Sequence, residues 1–458
     1  MSRKARCVIA ALVVLVAIGC DATRLTFATP PPVVARASPP PDDFAVRFHR
    51  IVLKNGLRAI VAEDHSAPVY SLCITYRVGS RYDDVARPGT AHLLEYMMFQ
   101  GSRNVRRGEH FLLLSQYGGN VNGSTAAEAS MFCQSLLSTQ LDLGLFLEAD
   151  RMASLEITQD NLRNQLDAIV EERARTIDNQ VYGRTTEAVL DTAFDDPTYK
   201  HSTLGSPDAL RRTTVEELKA FFRRHYCPNN AVLTLVGNVR PADALRRIDR
   251  YFANIPAGAP AAVPPTAERP QSAERRLVIE DHFARATRID IAYKVVGRTR
   301  PDSKALYVLG QVLAVGQSSR LYRRLVAGGL ATSVGGGFQD RGGPTLLVTV
   351  AVVAPGTAAE QVERATHEET DLLIASPVAQ SEIDAVRTRW RAERSEWVRN
   401  TLQVATRLGY NAAIYDDPAV VNTMDQELAQ VSSAELQRVA RIYLRQANRS
   451  VVVTTPKR

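Results

Sequence analysis

Two stretches of the chain repeat one order of polar and apolar positions. In the first, Thr214-Val215-Glu216-Glu217-Leu218 continues through Phe221 to Tyr226, and the β-branched run Val232-Leu233-Thr234-Leu235-Val236 follows. In the second, Ser432-Ser433-Ala434-Glu435-Leu436 continues through Val439 to Tyr443, and Ser450-Val451-Val452-Val453-Thr454 follows. Thr or Ser three residues ahead of Glu is a capping pattern, in which hydroxyl and carboxylate satisfy backbone N–H groups that a helix start leaves unpaired. Each run therefore predicts an amphipathic helix feeding a strand. The openings agree too: residues 71–76 and 287–293 alternate in polarity and predict half-buried strands. Strands, then helices, then a closing strand, twice over, predict an α+β protein of two homologous repeats. Each repeat is expected to be a mixed or antiparallel sheet covered by helices, the two packed around a cleft.

A chain of 458 residues exceeds what one hydrophobic core usually supports. A Pro/Ala-rich stretch from about 255 to 271 separates segments of similar length. The expected division is one domain over 46–255, a linker over 256–275 and a second domain over 276–458. Ahead of them, Pro30-Pro31-Pro32 and Pro39-Pro40-Pro41 mark residues 20–45 as an extended spacer. The first 19 residues place Arg3, Lys4 and Arg6 before an uncharged, mostly apolar run from Cys7 to Gly19. That run is too short for the ~20 residues of a membrane-spanning helix and reads as an export signal. It ends Ala17-Ile18-Gly19-Cys20, which resembles the lipobox of bacterial lipoproteins. The resemblance implies cleavage before Cys20, lipid on its thiol, and a protein tethered in the bacterial cell envelope facing the periplasm. Inner and outer membrane both stay open.

Charge narrows the partners. The net charge of +7 is spread without any run of five or six like charges, and no nucleic-acid-binding motif is present, so no nucleic-acid partner is expected. With Cys7 removed and Cys20 acylated, Cys73, Cys133 and Cys227 remain. Their odd count and wide spacing read against a disulfide framework, and Cys73 and Cys133, in apolar runs, are expected as small core residues.

The candidate chemistry lies in Pro88-Gly89-Thr90-Ala91-His92-Leu93-Leu94-Glu95-Tyr96-Met97-Met98-Phe99-Gln100-Gly101. Pro88 and Gly89 punctuate a loop, and Thr90 is expected to cap the helix that follows. On that helix His92, Glu95 and Tyr96 stand three and four residues apart and share one face. Metal ligands at i and i+4 with an acid at i+3 form the inverted zinc-peptidase arrangement, H-x-x-E-H, in which the acid takes a proton from metal-bound water. Here the pattern reads H-x-x-E-Y.

This run closely resembles the zinc motif of the insulinase/pitrilysin metallopeptidase family. The resemblance continues through Gly118-Gly119-Asn120-Val121-Asn122-Gly123-Ser124-Thr125, Leu147-Glu148-Ala149-Asp150-Arg151-Met152, and Val170-Glu171-Glu172-Arg173. Leu204-Gly205-Ser206 and Tyr226-Cys227-Pro228-Asn229-Asn230-Ala231 extend it, and the second half matches more loosely. The family implies one zinc held by two histidines of the first helix and a glutamate of a second. By position His92 is the first ligand, Glu172 the distal glutamate and Glu95 the general base. Asn122 falls on the strand that resembles the family's substrate-binding edge, where an extended peptide adds as a further strand. Tyr96 stands in place of the second histidine. The partner chain of two-subunit bacterial relatives carries a Gly-Leu-Ala-Tyr run. Here Gly329-Leu330-Ala331-Thr332 lacks the tyrosine, and the arginines of Ser319-Arg320-Leu321-Tyr322-Arg323-Arg324 read as a solvated helix face.

Imidazole ligates as a neutral donor near pH 7, whereas a phenol must first lose a proton with a reference pKa of about 10. Two ligands remain where catalytic zinc sites usually offer three. The expectation is a noncatalytic or zinc-impaired subunit, with zinc weak or absent, that binds extended peptides or unfolded polypeptide. It would pair as a homo- or heterodimer with an active family member. An active zinc endopeptidase with atypical coordination and a purely structural complex subunit are the alternatives. For His92 and Glu95 the choice lies between a residual hydrogen-bonded pair in a helical core and a weakened metal site.

Overall fold

The computed structural model describes residues 44–259, 262–266 and 268–457. The expected leader, Cys20 and all but the last two residues of the 20–45 spacer lie outside the described residues. No described helix is long and apolar enough to cross a membrane.

The first half opens with strands β1 (His49–Val52), β2 (Arg58–Glu63) and β3 (Val69–Tyr76). Helices α1 (Thr90–Met97) and α2 (Glu109–Gln116) lead to the hairpin of β4 (Asn120–Thr125) and β5 (Ser130–Leu137). Helices α3 (Leu141–Ser154), α4 (Gln159–Arg173), α5 (Thr185–Ala193), α6 (Pro207–Leu210) and α7 (Val215–His225) follow. Strand β6 (Ala231–Gly237) and helix α8 (Pro241–Phe252) close this half. The second half runs β7 (Arg275–Asp281), β8 (Arg288–Val295), α9 (Ser303–Ala314), β9 (Ala331–Phe338) and β10 (Thr345–Val353). Five helices come next: α10 (Ala359–Ala375), α11 (Gln380–Trp397), α12 (Thr401–Tyr415), α13 (Val420–Gln430) and α14 (Ser433–Tyr443). Strand β11 (Arg449–Pro456) ends the chain.

The strands form two mixed sheets, ordered β1-β2-β6-β3-β5-β4 and β7-β11-β8-β10-β9. Leaving out β1, the sheets have one topology. In each, the closing strand (β6 or β11) pairs parallel with the opening strand and antiparallel with the next. Both anticipated capping boxes are formed, Thr214 with Glu217 at α7 and Ser432 with Glu435 at α14. The duplicated pattern of the chain is thus a duplicated fold.

The strands expected to be half-buried are buried along nearly their whole length. One face of the first sheet packs Tyr70, Leu72, Ile74 and Tyr76 under helices of its own half. Its other face is covered by α12 of the second half, through Val404, Ala405, Leu408 and Ala412. Reciprocally, α5 of the first half covers the second sheet with Val189, Leu190 and Ala193. The exchanged helices also make polar contacts with the two sheets. Thr234 Oγ1 donates to the Ala405 carbonyl at 2.9 Å, Ser71 meets Thr401 at 2.9 Å, and Thr185 meets Thr454 at 2.8 Å.

The cysteine expectation is corrected. Cys73 and Cys133 are joined in a disulfide, while Cys227 is buried and free. They are direct cross-strand partners in the β3–β5 pair, with Cα atoms 4.1 Å apart, so a spacing of 60 residues in sequence is closed by sheet register alone.

The Pro/Ala-rich stretch is held at Pro264 and Glu268. Arg81 Nη2 donates to the Pro264 carbonyl at 2.8 Å, and Glu268 accepts from the Asp195 and Asp196 amides and from Lys294.

Candidate functional site

Helix α1 starts where two glycines let two loops touch. Gly89, at φ 103°, lies so close to the 204–205 backbone that a Cβ on it would stand 2.7 Å from the Leu204 carbonyl. Gly205 would clash with Pro88 in the same way, and the Ser206 amide donates to the Pro88 carbonyl at 3.1 Å. Thr90 does not cap the helix: it is the first helical residue, and its hydroxyl turns back to the Arg87 carbonyl. The free N–H groups are taken by Asp83, whose carboxylate accepts from Gly89 at 2.6 Å and Ala91 at 2.8 Å. A buried acid from the preceding loop replaces the local cap because the helix start is itself buried, out of reach of water.

The helix presents His92, Glu95 and Tyr96 towards α4 and β4. Helix α4 is capped by Thr158, runs to Arg173 and passes into a π-helical turn over Ala174–Asp178. That places Glu172 beside α1. His92 Nε2 lies 3.5 Å from Glu172 Oε2, and the Tyr96 hydroxyl donates to the same oxygen at 2.9 Å. The His92 and Tyr96 rings meet edge to face, with centroids 5.3 Å apart. Of the site residues named from the sequence, His92, Tyr96 and Glu172 are therefore in contact, and Glu95 lies near enough for the charges of His92 and Glu172 to act on it. Asn122 stands on β4, which is the free edge of the first sheet.

Two residues that sequence reasoning passed over belong to this cluster. A Cβ at Gly123 would meet Glu95 Cγ at 3.0 Å and Phe99 Cε2 at 3.1 Å, so the absence of a side chain lets Glu95 lie against the strand. Thr125 shares that strand face by alternation, and its hydroxyl, which meets Ser130 at 3.3 Å, helps to hold the Glu95 carboxyl down. Both sit in the quoted Gly-Gly-x-x-x-Gly-x-Thr run, and the period of two was the available signal. Burial pushes the Glu95 carboxyl up from the usual carboxylate range, and the charge of Glu172 adds to this. His92 and Thr125 pull the other way.

The insulinase/pitrilysin resemblance implies zinc here, so the donor set can be tested against it. Burial, reinforced by Glu172, holds the Tyr96 phenol well above its ordinary range, so it stays protonated and acts as a donor. That donation occupies the Glu172 oxygen nearest His92. A metal-ligating histidine normally gives its other ring N–H to a carboxylate or carbonyl, which fixes its orientation. His92 Nδ1 is buried and makes no hydrogen bond. Among the described residues, no three His, Cys, Asp or Glu side chains are grouped so as to hold a metal ion. The residues present do not fit a three-ligand zinc site.

Residues 58–207 match the family model described as insulinase, peptidase family M16, and residues 212–389 match that of the peptidase M16 inactive domain. The chain belongs to the insulinase family. One insulinase-family relative, the zinc protease PqqE of Helicobacter pylori, is 24% identical over 93% of this chain and 96% of its own length. A solved Helicobacter pylori protease superposes with a TM-score of 0.84 over 90% of this chain and 100% of that one, at 24% identity. A Pseudomonas fluorescens structure described as a peptidase M16 inactive domain gives 0.80 over 90% and 98%, at 16% identity. A chain of the Candida albicans complex III2 gives 0.75 over 89% and 95%, at 12% identity. Relatives in this insulinase family are thus named as zinc proteases, and the fold also occurs inside a multisubunit complex.

The arginines of 320–324 are paired. Arg320 and Arg323 bind Glu382, and Arg324 binds Glu368. Arg320 is largely buried in its pair, whereas Arg323 and Arg324 are exposed, so the expected solvated face holds only in part.

Proposed function

We propose that this chain is a zinc-impaired member of the insulinase family. In this reading it holds extended peptides along the edge of β4 and pairs with a zinc-bearing member that cuts them. The observation that carries the reading is the Tyr96–Glu172 hydrogen bond. A protonated phenol joins α1 to α4 at the position where the family uses metal ligands. Without a metal, Glu95 lacks the Lewis acid that would acidify its water and polarise the scissile carbonyl, and is a poor base for peptide hydrolysis. The open edge of β4 supports the peptide-binding half, since its unpaired backbone groups are a template for one more strand. The Cys20 lipobox supports a tether in the envelope, facing the periplasm.

Elemental analysis of the purified chain beside a Tyr96→His variant tests this. The expected result is a natural chain with far less than one equivalent of zinc and a variant that takes up about one. About one zinc in the natural chain, lost in His92→Ala and accompanied by chelator-sensitive peptide cleavage, would overturn it.

A further inference from the structure

The Cys73–Cys133 disulfide lies beneath a helix from the other half of the molecule. Cys73 is 0% and Cys133 9% exposed, and both belong to the core that α12 seals against the first sheet. Both sulfurs sit against Thr406 of α12, at 3.9 and 4.0 Å from its hydroxyl. The seal is tight: a Cβ on Gly409 would stand 2.5 Å from Thr75 Oγ1, so α12 lies directly on β3. Thiol–disulfide exchange needs an attacking sulfur to reach a target sulfur, and here neither is reachable once α12 is seated.

We propose that Cys73 and Cys133 are oxidised before α12 docks, and that docking then locks the bond against reduction. The sheet register brings the two thiols together within the first half, while α12 is supplied only from the second. The oxidant is of the class of protein thiol–disulfide oxidoreductases found in oxidising compartments. One cysteine thiolate attacks the oxidant's disulfide and displaces one of its sulfurs, giving a mixed disulfide. The second cysteine thiolate then attacks its partner's sulfur and releases the oxidant as a dithiol. Two thiols lose two electrons and two protons, and the oxidant's disulfide gains them. The bond staples β3 to β5, the strand that carries the β4 edge, with Asn122 directly opposite Cys133. The proposal is independent of the zinc reading, because neither cysteine touches His92, Tyr96 or Glu172.

The full chain is expressed with its own leader in a bacterial host, acid-quenched, alkylated in denaturant and mapped by mass spectrometry. The expected result is unmodified, linked Cys73 and Cys133 peptides with Cys227 alkylated. The folded chain is then treated with a phosphine reductant across a urea series. Reduction is expected to be at least roughly a hundredfold slower in the native range than beyond the unfolding transition. Gly409→Leu, which lifts α12, is expected to remove most of that protection while the circular dichroism stays native. Free Cys73 and Cys133 in the quenched chain would overturn the proposal, as would native-range reduction as fast as in denaturant. If Gly409→Leu fails to fold, the urea series on the natural chain decides alone.

Discussion

Tyr96 and Glu172 meet because α1 and α4 pack side by side, and the phenol spans the gap with one hydrogen bond. Tyr96→Phe removes the donor and leaves a buried carboxylate short of a partner, a loss worth about 1–3 kcal/mol. Urea denaturation should show that loss with an unchanged m-value, and no loss at all would mean the bond does not hold the helices together. His225 gives a pH test. Burial, with Arg224 adding to it, pulls this imidazole down to about 4. The unfolded chain binds the proton near 6.5 and the folded chain near 4, so acid in that window favours unfolding. Stability should rise from about pH 4 to 6.5 and its contribution should be complete above that. The slope from this group is at most about 1.4 kcal/mol per pH unit, and His225→Phe should remove it. A slope unchanged in the variant would assign the effect elsewhere.

Among the elements, α7 and α14 offer a matched pair. Each begins with a hydroxyl accepting from its own N3 amide, at 3.3 Å for Thr214 and 3.2 Å for Ser432. Thr214→Ala and Ser432→Ala should each cost about 1 kcal/mol by denaturant melts, and the double variant should cost their sum. Strand β4 is a second test. Gly123→Val would drive a branched side chain into Glu95 and Phe99, so a loss of about 1–3 kcal/mol is expected from overpacking. These elements were legible in the chain because their signals are local: a cap, a period, a punctuating Pro-Gly. The cap of α1 was not, since Asp83 acts from a preceding loop and no spacing rule ties it to Gly89 and Ala91.

The whole molecule is clasped by more than its linker. At the tip of the β4–β5 hairpin, Glu128 accepts from the Gly342 amide at 2.5 Å and the Gly343 amide at 2.8 Å, both in the turn between β9 and β10. Arg81 completes the cluster at 3.3 Å, with both charged groups buried. Glu128→Ala would strand Arg81, so a loss of about 3–5 kcal/mol is expected in thermal or urea unfolding. The exchanged helices lead to another outcome. A chain ending near residue 255 would leave bare the sheet face that α12 covers. It should aggregate alone and become soluble when the second half is supplied as a separate chain. A soluble, monomeric first half would contradict the shared core.

The chain alone determined the duplication, the two sheet-forming repeats, the capped helices and the group His92, Glu95, Tyr96 and Glu172. These follow from periodicity, capping chemistry and a motif resemblance, all read along one dimension. Tertiary structure decided the rest. It buried the polar face of β3, because α12 arrives from the opposite half and its Thr401 meets Ser71, and it buried Asp290 of β8 against Arg288 of the same strand. It paired Cys73 with Cys133, because strand register, not sequence spacing, sets which residues face each other. It also gave Tyr96 its partner, because a phenol takes whichever acceptor the packing of α1 on α4 brings within reach.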